Sequence, residues 1–411
     1  MSSEVAQATP GDASVAEEIV ARADALRPRL LEEQAATEER ACYSEELHEA
    51  FAEAGFYRML VPRRYGGLEL DVPTFYRVMT SISRGCPSTG WMLTLGSGHA
   101  LQIASYWPEE AQDEILGPGH FVSPASFAFQ DALATPVEGG YRVRGTWHFC
   151  SGAPYGTHHV GLAPTGKEGE LVVVVVPRDR FRVLDNWGDL IGLKGSGSHS
   201  VVVEEAVIPA HHAIPFDQFL ATGVTSTPGY RLHGNPLYGG AFIAFAMGEL
   251  NSVQVGNAQA AVDEYERVIL GRRTIVPGAG EGPTRAEDSN YQRCLGLGLA
   301  YTDAAYSILL RCGELYHEYS RLAMEEGDPF SDERAFRIYG QLMTAHKLCW
   351  EAGDTVFRAA STAGARDGAR MQRYWRDLCA FRTNGIHQLD FRAPSIAQAR
   401  LGLPIEFFNR P

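Results

Sequence analysis

A strand-rich segment between two helical regions constrains this chain of 411 residues more than any other feature of its sequence. Residues 171–176 form a continuous apolar run that ends at Pro177, as expected of a strand buried on both faces. Residues 200–208 are predicted to form a second strand, which ends at Pro209. We therefore predict a compact β domain over residues 121–215, inserted between helical regions.

Helical periodicity flanks this segment on both sides. Before it, apolar residues recur three and four positions apart over residues 14–56, and the pattern returns over 73–116. After a linker that contains Pro and Gly, at 222–239, the chain is helical again. The helices predicted there cover residues 240–270, 287–326, 332–361 and 368–389.

The third of these helices has the pattern of a helix in a bundle. Its large side chains Phe336, Met343, Trp350 and Phe357 recur every seven residues and so share one face. The chain is thus predicted to have an N-terminal helical domain, a central β domain and a C-terminal helical domain. These occupy residues 1–120, 121–222 and 223–411.

Composition excludes several classes of protein. No stretch approaches the ~20 apolar residues of a membrane span, and residues 1–15 are too polar and acidic for a signal peptide. A net charge of -14 disfavours nucleic acid as a partner, because phosphate binding depends on Lys and Arg. The seven cysteines are scattered without C-x-x-C spacing, which indicates reduced thiols. We expect a cytoplasmic protein with a small-molecule partner.

Familiar catalytic and metal-binding motifs are missing from the sequence. It contains no phosphate-loop, H-E-x-x-H or G-x-S-x-G pattern. The pairs at 158–159 and 211–212 are adjacent histidines, but adjacent residues in a strand point to opposite faces and no carboxylate at ligand spacing accompanies them. We therefore predict surface histidines and no metal.

The sequence predicts a strand from Tyr141, a bend at Gly145 and a second short strand at 147–149, and the corner that follows has residues that suit a ligand. After Phe149, Cys150 and Ser151 supply a thiol and a hydroxyl, and Gly152 leaves the backbone free to turn. A flat polar ring system could approach the main chain closely there. Ser151 is therefore a candidate contact to a bound cofactor; the alternative is that it caps a turn.

Two further stretches are rich in small residues and could also admit a ligand. Gly96 and Gly98 lie in the run 91–99, where each costs a helix roughly 1 kcal/mol relative to Ala, so a helix or a ligand should approach closely there. The stretch 192–199 combines glycines with hydroxyls just before a strand. It could offer backbone N–H groups to an anion or a heterocycle, or it could be a flexible loop.

Taken together, these features resemble the acyl-CoA dehydrogenase fold. The resemblance implies an α+β chain with an N-terminal helical domain, a central β-barrel or sandwich domain and a C-terminal four-helix bundle. It also implies a flavin between the β domain and the bundle, and assembly into a homotetramer. The segments that carry it are 61–67, 145–152, 192–198, 201–209 and 374–377.

The dehydrogenases of this fold use a glutamate as base, in many of them on a Tyr-Glu-Gly segment shortly after an Arg-Asp pair. Asn384 and Gly385 stand there in this chain, and neither accepts a proton. Other members place the glutamate on a different bundle helix. An acyl-CoA dehydrogenase or oxidase therefore remains an alternative, as does a non-catalytic member that binds flavin or substrate.

Other residues resemble the two-component flavin-dependent monooxygenases, a branch that includes phenol and aromatic polyketide hydroxylases, nitrososynthases and dibenzothiophene monooxygenase. The signals are Gly90-Trp91 followed by His99, and Phe149-Cys150-Ser151-Gly152. The resemblance implies an oxygenase component that receives reduced FMN or FAD from a separate reductase. With O2, through a flavin C4a-hydroperoxide, it would hydroxylate or N-oxidise a small aromatic, polyketide or amine substrate.

The resemblance also assigns roles to individual residues. Ser151 would contact the flavin N5 edge, and His99 would line the substrate side. Many members have a histidine where Asn384 stands; an amide can hydrogen-bond but not act as a base. His387 is predicted to lie on the same helical face, where it could take the histidine's place; the alternative is a packing or surface histidine. Arg272 would contact a neighbouring subunit's flavin phosphate, or else complement a helix dipole. The predicted cofactor contacts are Trp91, Phe149, Cys150, Ser151, Ser196, Ser198 and Arg272.

Overall fold

Helices occupy the first part of the chain in the computed structural model, which describes residues 10–276, 278 and 280–406. Residues 1–9 lie outside the described residues; they belong to the segment 1–15, for which a signal peptide was predicted to be absent. The helices before the β region are α1 (Pro10–Arg40), α2 (Glu45–Glu53), α3 (Val72–Gly85), α4 (Pro87–Tyr106) and α5 (Glu109–Ile115).

The helical stretches predicted at 14–56 and 73–116 are interrupted where the backbone leaves the helical conformation. Ala41 follows α1 with a left-handed φ of 61°. Cys86 is extended between α3 and α4, because the residue before a proline disfavours the helical conformation and Pro87 comes next. The helical conformation of both stretches was predicted correctly, but each stretch contains more than one helix.

The β region has two four-stranded sheets, with strand orders β1-β4-β5-β8 and β2-β3-β7-β6. Neighbouring strands are antiparallel except β1 and β4. The strands are β1 (Ala125–Ser126), β2 (Phe129–Val137), β3 (Gly140–Trp147), β4 (His158–Pro164), β5 (Leu171–Pro177), β6 (Arg182–Val183), β7 (Val201–Pro209) and β8 (Ala213–Pro215).

Strand β5 is buried on both faces, as predicted. Val172, Val174 and Val176 pack in the core between the two sheets. Val173 and Val175 point the other way and join the large core built mainly by the helices. The continuous apolar run therefore reflects two apolar environments, one on each side of the strand.

The described residues of the C-terminal part form helices and one exposed hairpin, which was not predicted. Helix α8 packs against α3, α4, α9, α10 and α11, so the N-terminal and C-terminal helices share a core. The elements are α6 (Phe216–Leu220), α7 (Pro228–His233), α8 (Phe242–Leu270), β9 (Arg273–Val276), β10 (Gly280–Thr284), α9 (Ser289–Glu326), α10 (Asp332–Ala359), α11 (Arg370–Thr383) and α12 (Leu389–Leu401). The domain boundaries at 120 and 222 stay predictions.

The second half of the seven-residue pattern of α10 packs on α11. Phe336 and Met343 are buried, while the half-buried Trp350 and Phe357 face Trp375, with ring centroids 6.3 and 4.7 Å away. The helix predicted at 368–389 was too long: α11 ends at Thr383, and a 3-10 turn, Gly385–His387, follows.

His211 and His212 lie on a 3-10 turn, Ala210–His212, and not in a strand, so the opposite-face argument does not apply to them. All seven cysteines are free thiols. None of the helices in the described part of the chain is long and apolar enough to span a membrane.

Candidate active site

The corner after β3 turns sharply because two of its residues adopt left-handed backbone conformations. Gly152 has a φ of 88°, which costs glycine little, and Phe149 has a φ of 60°, which is uncommon for an aromatic residue. The Cys150 N–H donates to the His199 carbonyl at 3.0 Å. The corner is thus fixed to the end of the glycine-rich stretch.

A line of three hydroxyl groups lies at this corner. The indole N–H of Trp91 donates to Ser151 Oγ at 2.8 Å. Ser151 Oγ lies 2.7 Å from Ser198 Oγ, which lies 2.7 Å from Ser196 Oγ. The indole is a donor only, so it fixes one acceptor position of Ser151 and the hydroxyls share the remaining protons. Four of the predicted cofactor contacts therefore lie together: Trp91, Ser151, Ser196 and Ser198.

Trp91 connects this line to the helical bundle. It lies on α4, and its half-buried ring packs edge-on against Phe381 of α11, with ring centroids 5.0 Å apart. Leu193 and Val253 belong to the same small apolar cluster. Trp91 therefore holds Ser151 in register with both α4 and α11.

The glycine-rich stretch at 192–199 is held by the protein. The Leu193 N–H donates to Asp377 Oδ1 at 2.6 Å, and the Gly197 N–H donates to the Ala41 carbonyl at 2.8 Å. The flexible-loop alternative was wrong, and these two backbone donors are not free for an anion. The hydroxyls of the stretch, and not these N–H groups, face Ser151.

The small residues of α4 permit close approach by other parts of the protein. A Cβ on Gly152 would lie 3.5 Å from the Gly96 Cα, so the corner rests on the helix backbone. A Cβ on Gly98 would overlap the carboxyl of Glu249 on α8. Of the two explanations offered for these glycines, packing is the one observed.

His99 is a buried neutral imidazole on α4. Its Nδ1 lies 2.6 Å from the Ser123 carbonyl, which only accepts, so Nδ1 carries the hydrogen. Burial lowers the pKa of His99 to about 4, although the bond to Ser123 acts in the opposite direction. At neutral pH its Nε2 is therefore a hydrogen-bond acceptor.

Glu249 is a buried acid that the sequence predictions missed. Its side chain is inside the helical core, and Oε1 has no hydrogen-bond partner among the described residues. Burial raises the pKa of Glu249 well above its ordinary value, so the group is a neutral carboxylic acid and a potential donor. The signal was visible: it is the one acid in the apolar run 241–250.

Asn384 and His387 have different environments. Asn384 is exposed, and its Oδ1 accepts the Ile386 N–H at 3.2 Å. His387 is buried and stacked on His346 of α10, with ring centroids 5.0 Å apart, and its ring nitrogens have no hydrogen-bond partner in the described chain. Burial lowers the pKa of His387 to about 4. The two do not share a helical face, because α11 has already ended.

His387 nevertheless connects to the corner. Its ring centroid lies 6.1 Å from that of Phe381, the residue against which Trp91 packs. His346, its stacking partner, was missed, because a contact between α10 and the turn after α11 leaves no local pattern in the sequence.

Phe149 and Cys150 point in different directions. The Phe149 side chain is 63% exposed and meets the Trp187 ring edge-on, with centroids 6.2 Å apart. Cys150 packs between the sheets, and its thiol donates to the Trp147 carbonyl at 3.3 Å. Burial raises the pKa of Cys150 to about 12, so it stays a thiol. Phe149 is available to a ligand, whereas the Cys150 side chain is not.

Arg272 lies in a separate place, just beyond the end of α8. It is exposed and lines a cavity of about 350 Å³ with Arg267 and Arg370. Glu264 also lines this cavity and pairs with Arg267 through an Nε–Oε2 contact of 2.8 Å. Two guanidinium groups therefore remain to give the cavity a positive charge.

Comparison with known proteins agrees with this architecture. Two family models match: the acyl-CoA dehydrogenase N-terminal domain over residues 16–119 and the acyl-CoA dehydrogenase C-terminal domain over 250–388. A pigment production hydroxylase from a Rhodococcus species is 29% identical over 392 residues, which are 94% of this chain and 97% of the relative.

Two further relatives extend over most of the chain. The flavin-dependent monooxygenase oxygenase subunit HsaA of Rhodococcus jostii is 28% identical over 388 residues, 93% of this chain and 98% of that protein. The structure of XiaF from a Streptomyces species, in complex with FADH2 and glycerol, superposes with a TM-score of 0.86 at 25% identity and covers 96% of this chain and 98% of that one.

Proposed function

Because the chain belongs to the acyl-CoA dehydrogenase family, we propose that it is the oxygenase component of a two-component flavin-dependent monooxygenase. It takes reduced FMN or FAD from a separate reductase and uses O2 to hydroxylate or N-oxidise a small aromatic, polyketide or amine natural product. The observation that carries the proposal is the hydroxyl line anchored by Trp91 at the β3 corner. Support also comes from the full-length similarity to a flavin-dependent oxygenase subunit.

The residues at the corner fit a flavin ring. A flavin has flat apolar faces and a polar edge, and the corner offers the half-buried ring of Trp91 and the exposed ring of Phe149 beside the hydroxyl of Ser151. Phe149 is 63% exposed with a left-handed backbone, so its edge contact with Trp187 leaves most of the ring open to a ligand. We assign Trp91, Phe149, Ser151, Ser196 and Ser198 to holding the flavin.

A bound reduced flavin would supply the electrons that activate O2. The chain's own residues would orient it and exclude water. The Ser151 hydroxyl, fixed by the Trp91 N–H and buried to 4% exposure, would bond the polar edge of the ring from a dry surface.

The acceptor for a substrate proton is assigned to a histidine and not to Asn384. The Asn384 amide is exposed and already accepts the Ile386 N–H. His99 and His387 are both buried and neutral, so each has a nitrogen lone pair free of a proton. We place His99 on the substrate side and leave His387 as the second base candidate, adjoining Phe381.

Arg272 is proposed to act at a distance from the corner, on the flavin phosphate of a neighbouring subunit. The positive cavity that it shares with Arg267 and Arg370 suits such a group. This role requires an oligomer. The homotetramer and the cytoplasmic location stay predictions.

Acyl-CoA dehydrogenation is the second candidate, and Glu249 is the observation that favours it. It is a carboxyl group on a bundle helix, as in the members that do not use the Tyr-Glu-Gly segment. The raised pKa of Glu249 argues against the reaction, because a protonated acid cannot remove a proton.

Anaerobic binding followed by oxygenation tests the proposal. The purified protein should bind reduced FMN or FAD more tightly than the oxidised form and, with ¹⁸O₂ and a phenol panel, should give products carrying one ¹⁸O atom. The yield of labelled product should fall in Ser151→Ala and not in the matched control Ser126→Ala, which removes a hydroxyl bonded to the His148 carbonyl outside the hydroxyl line. Bleaching of oxidised flavin by an acyl-CoA, with no ¹⁸O in any product, would establish the second candidate instead.

A further inference from the structure

Two adjacent histidines converge on one carboxylate at the junction of α5 and the turn between β7 and β8. The His212 Nε2 lies 2.8 Å from Glu114 Oε2, and the His211 Nε2 lies 3.1 Å from the same oxygen. Both side chains face α5 because residues 210–212 form a 3-10 turn. The three side chains thus come together through the fold and not through a sequence motif.

Each histidine of the cluster faces a carboxylate through a ring nitrogen. The His211 Nδ1 lies 3.4 Å from Glu110 Oε2, on the side of the ring away from Glu114. The His211 Nε2 and the His212 Nδ1 are buried and make no hydrogen bond of good geometry among the described residues. A neutral imidazole can present one nitrogen lone pair, so both rings can turn a lone pair toward the oxygen of Glu114 when a cation takes the place of the hydrogen between them.

We propose that Glu114, His211 and His212 bind a divalent transition metal ion, with Zn²⁺ the best suited. Their ligand atoms all lie within 4.8 Å of one another. Zinc binds imidazole nitrogen and carboxylate oxygen at about 2.0–2.2 Å, so its ligand atoms lie roughly 3–3.5 Å apart. A small outward movement of the three side chains makes room for the ion.

The surroundings of the cluster suit a zinc site. Glu110 takes the position of the carboxylate that commonly orients a zinc-bound histidine through its second nitrogen. The side chain of Glu114 is 52% exposed, which leaves one side of the ion open to water as the fourth ligand. Two imidazoles among three ligands disfavour Mg²⁺ and Ca²⁺, which prefer oxygen.

The ion would join two parts of the fold. Glu114 belongs to α5, and the histidines belong to the β region. The Trp107 indole N–H already donates to the His212 carbonyl at 3.3 Å, so the metal adds a second link at the same junction. The site contains none of the residues assigned to the flavin, so its test is independent of the proposed activity.

Calorimetric titration of the chelator-treated full chain with Zn²⁺ tests the proposal. The expected result is one ion per chain, affinity reduced by about tenfold or more in His211→Ala and in Glu114→Gln, and no heat with Mg²⁺. The control is Glu205→Gln, which changes an exposed carboxylate on β7 that pairs with Arg142 of β3. This variant should bind Zn²⁺ as the parent does.

Thermal unfolding with Zn²⁺ gives the second readout. The parent and Glu205→Gln should unfold at a higher temperature when Zn²⁺ is added, whereas Glu114→Gln should not. Glu114 is half exposed, so its change to Gln should leave the fold intact even if His211→Ala does not fold. An absence of saturable Zn²⁺ binding, or equal affinity in the parent and Glu114→Gln, would overturn the proposal.

Discussion

The indole nitrogen of Trp91 donates a hydrogen bond to Ser151 Oγ at 2.8 Å, across 60 positions of sequence. The bond fixes the corner of the β region against a helix of the N-terminal part. Because Trp91 also packs on Phe381, one side chain sets the position of the hydroxyl line relative to the bundle. The predictions that follow test this arrangement and its neighbours.

Replacing Trp91 by Phe should weaken reduced-flavin binding by roughly five- to tenfold. The substitution keeps an aromatic ring against Phe381 but removes the donor to Ser151, and a net hydrogen bond contributes about 1 kcal/mol. Fluorescence titration under anaerobic conditions measures the change. Trp375→Phe is the matched control, since its indole donates to Asp354 within the bundle; equal losses in both variants would contradict the assignment.

Replacing Ser151 by Ala should uncouple oxygen use from product formation. Without the hydroxyl, the flavin edge lacks its fixed partner, so the ratio of hydroxylated product to hydrogen peroxide should fall about tenfold, equivalent to ~1.4 kcal/mol. An oxygen electrode combined with a peroxide assay gives both quantities. If the ratio stays at the parent's value while Ser126→Ala lowers it, Ser151 is not the contact.

His99 should make the protein less stable as the pH falls. Its pKa is lowered to about 4 in the folded state, below the ordinary 6.5, so the unfolded chain binds the extra proton and stability decreases from pH 6.5 downward. His99→Gln keeps a donor for the Ser123 carbonyl but cannot titrate. Urea unfolding at about pH 7.5 and about pH 5 should show a smaller loss in the variant, by roughly 1–2 kcal/mol; parallel pH profiles would contradict the prediction.

Gly98→Ala should destabilise the chain through Glu249. The added methyl would overlap the Glu249 carboxyl, and overpacking a core costs about 1–3 kcal/mol. In the double variant with Glu249→Ala the clash is relieved, so the two effects should not add. Gly385→Ala, where a Cβ meets nothing within 4 Å, is the control for glycine substitution itself. Strict additivity in the cycle would show that the two side chains do not interact.

Sequence patterns predicted the elements that are largely buried in an apolar core. The run in β5 and the long periodic helices α8, α9 and α10 were identified because burial leaves a regular pattern in the chain. The hairpin of β9 and β10 was missed for the complementary reason: Ile275 is 83% exposed, and none of the hairpin side chains that the structure describes is buried, so burial leaves no pattern there.

Sequence patterns and family resemblance identified only part of the candidate active site. Local chemistry and family resemblance together identified Trp91 and Ser151, but the bond between them depends on how the β region docks on α4. The end of α11 was missed because the Asn384 side chain caps a 3-10 turn, which competes with continuing the helix. His346 and Glu249 lacked a motif, and their importance emerges from burial without a partner.

Alternate valines of β5 belong to different cores, and this limits how the chain can be recombined. Val173 faces the helices and Val174 faces the second sheet, so one short strand must match two surfaces at once. A chimaera that takes its β region from a relative would inherit side chains fitted to that relative's helices. In such a chimaera, Val173 and Val175 of β5 must therefore match the helices that they contact. The other three valines of the strand must match the two sheets: Val172, Val174 and Val176.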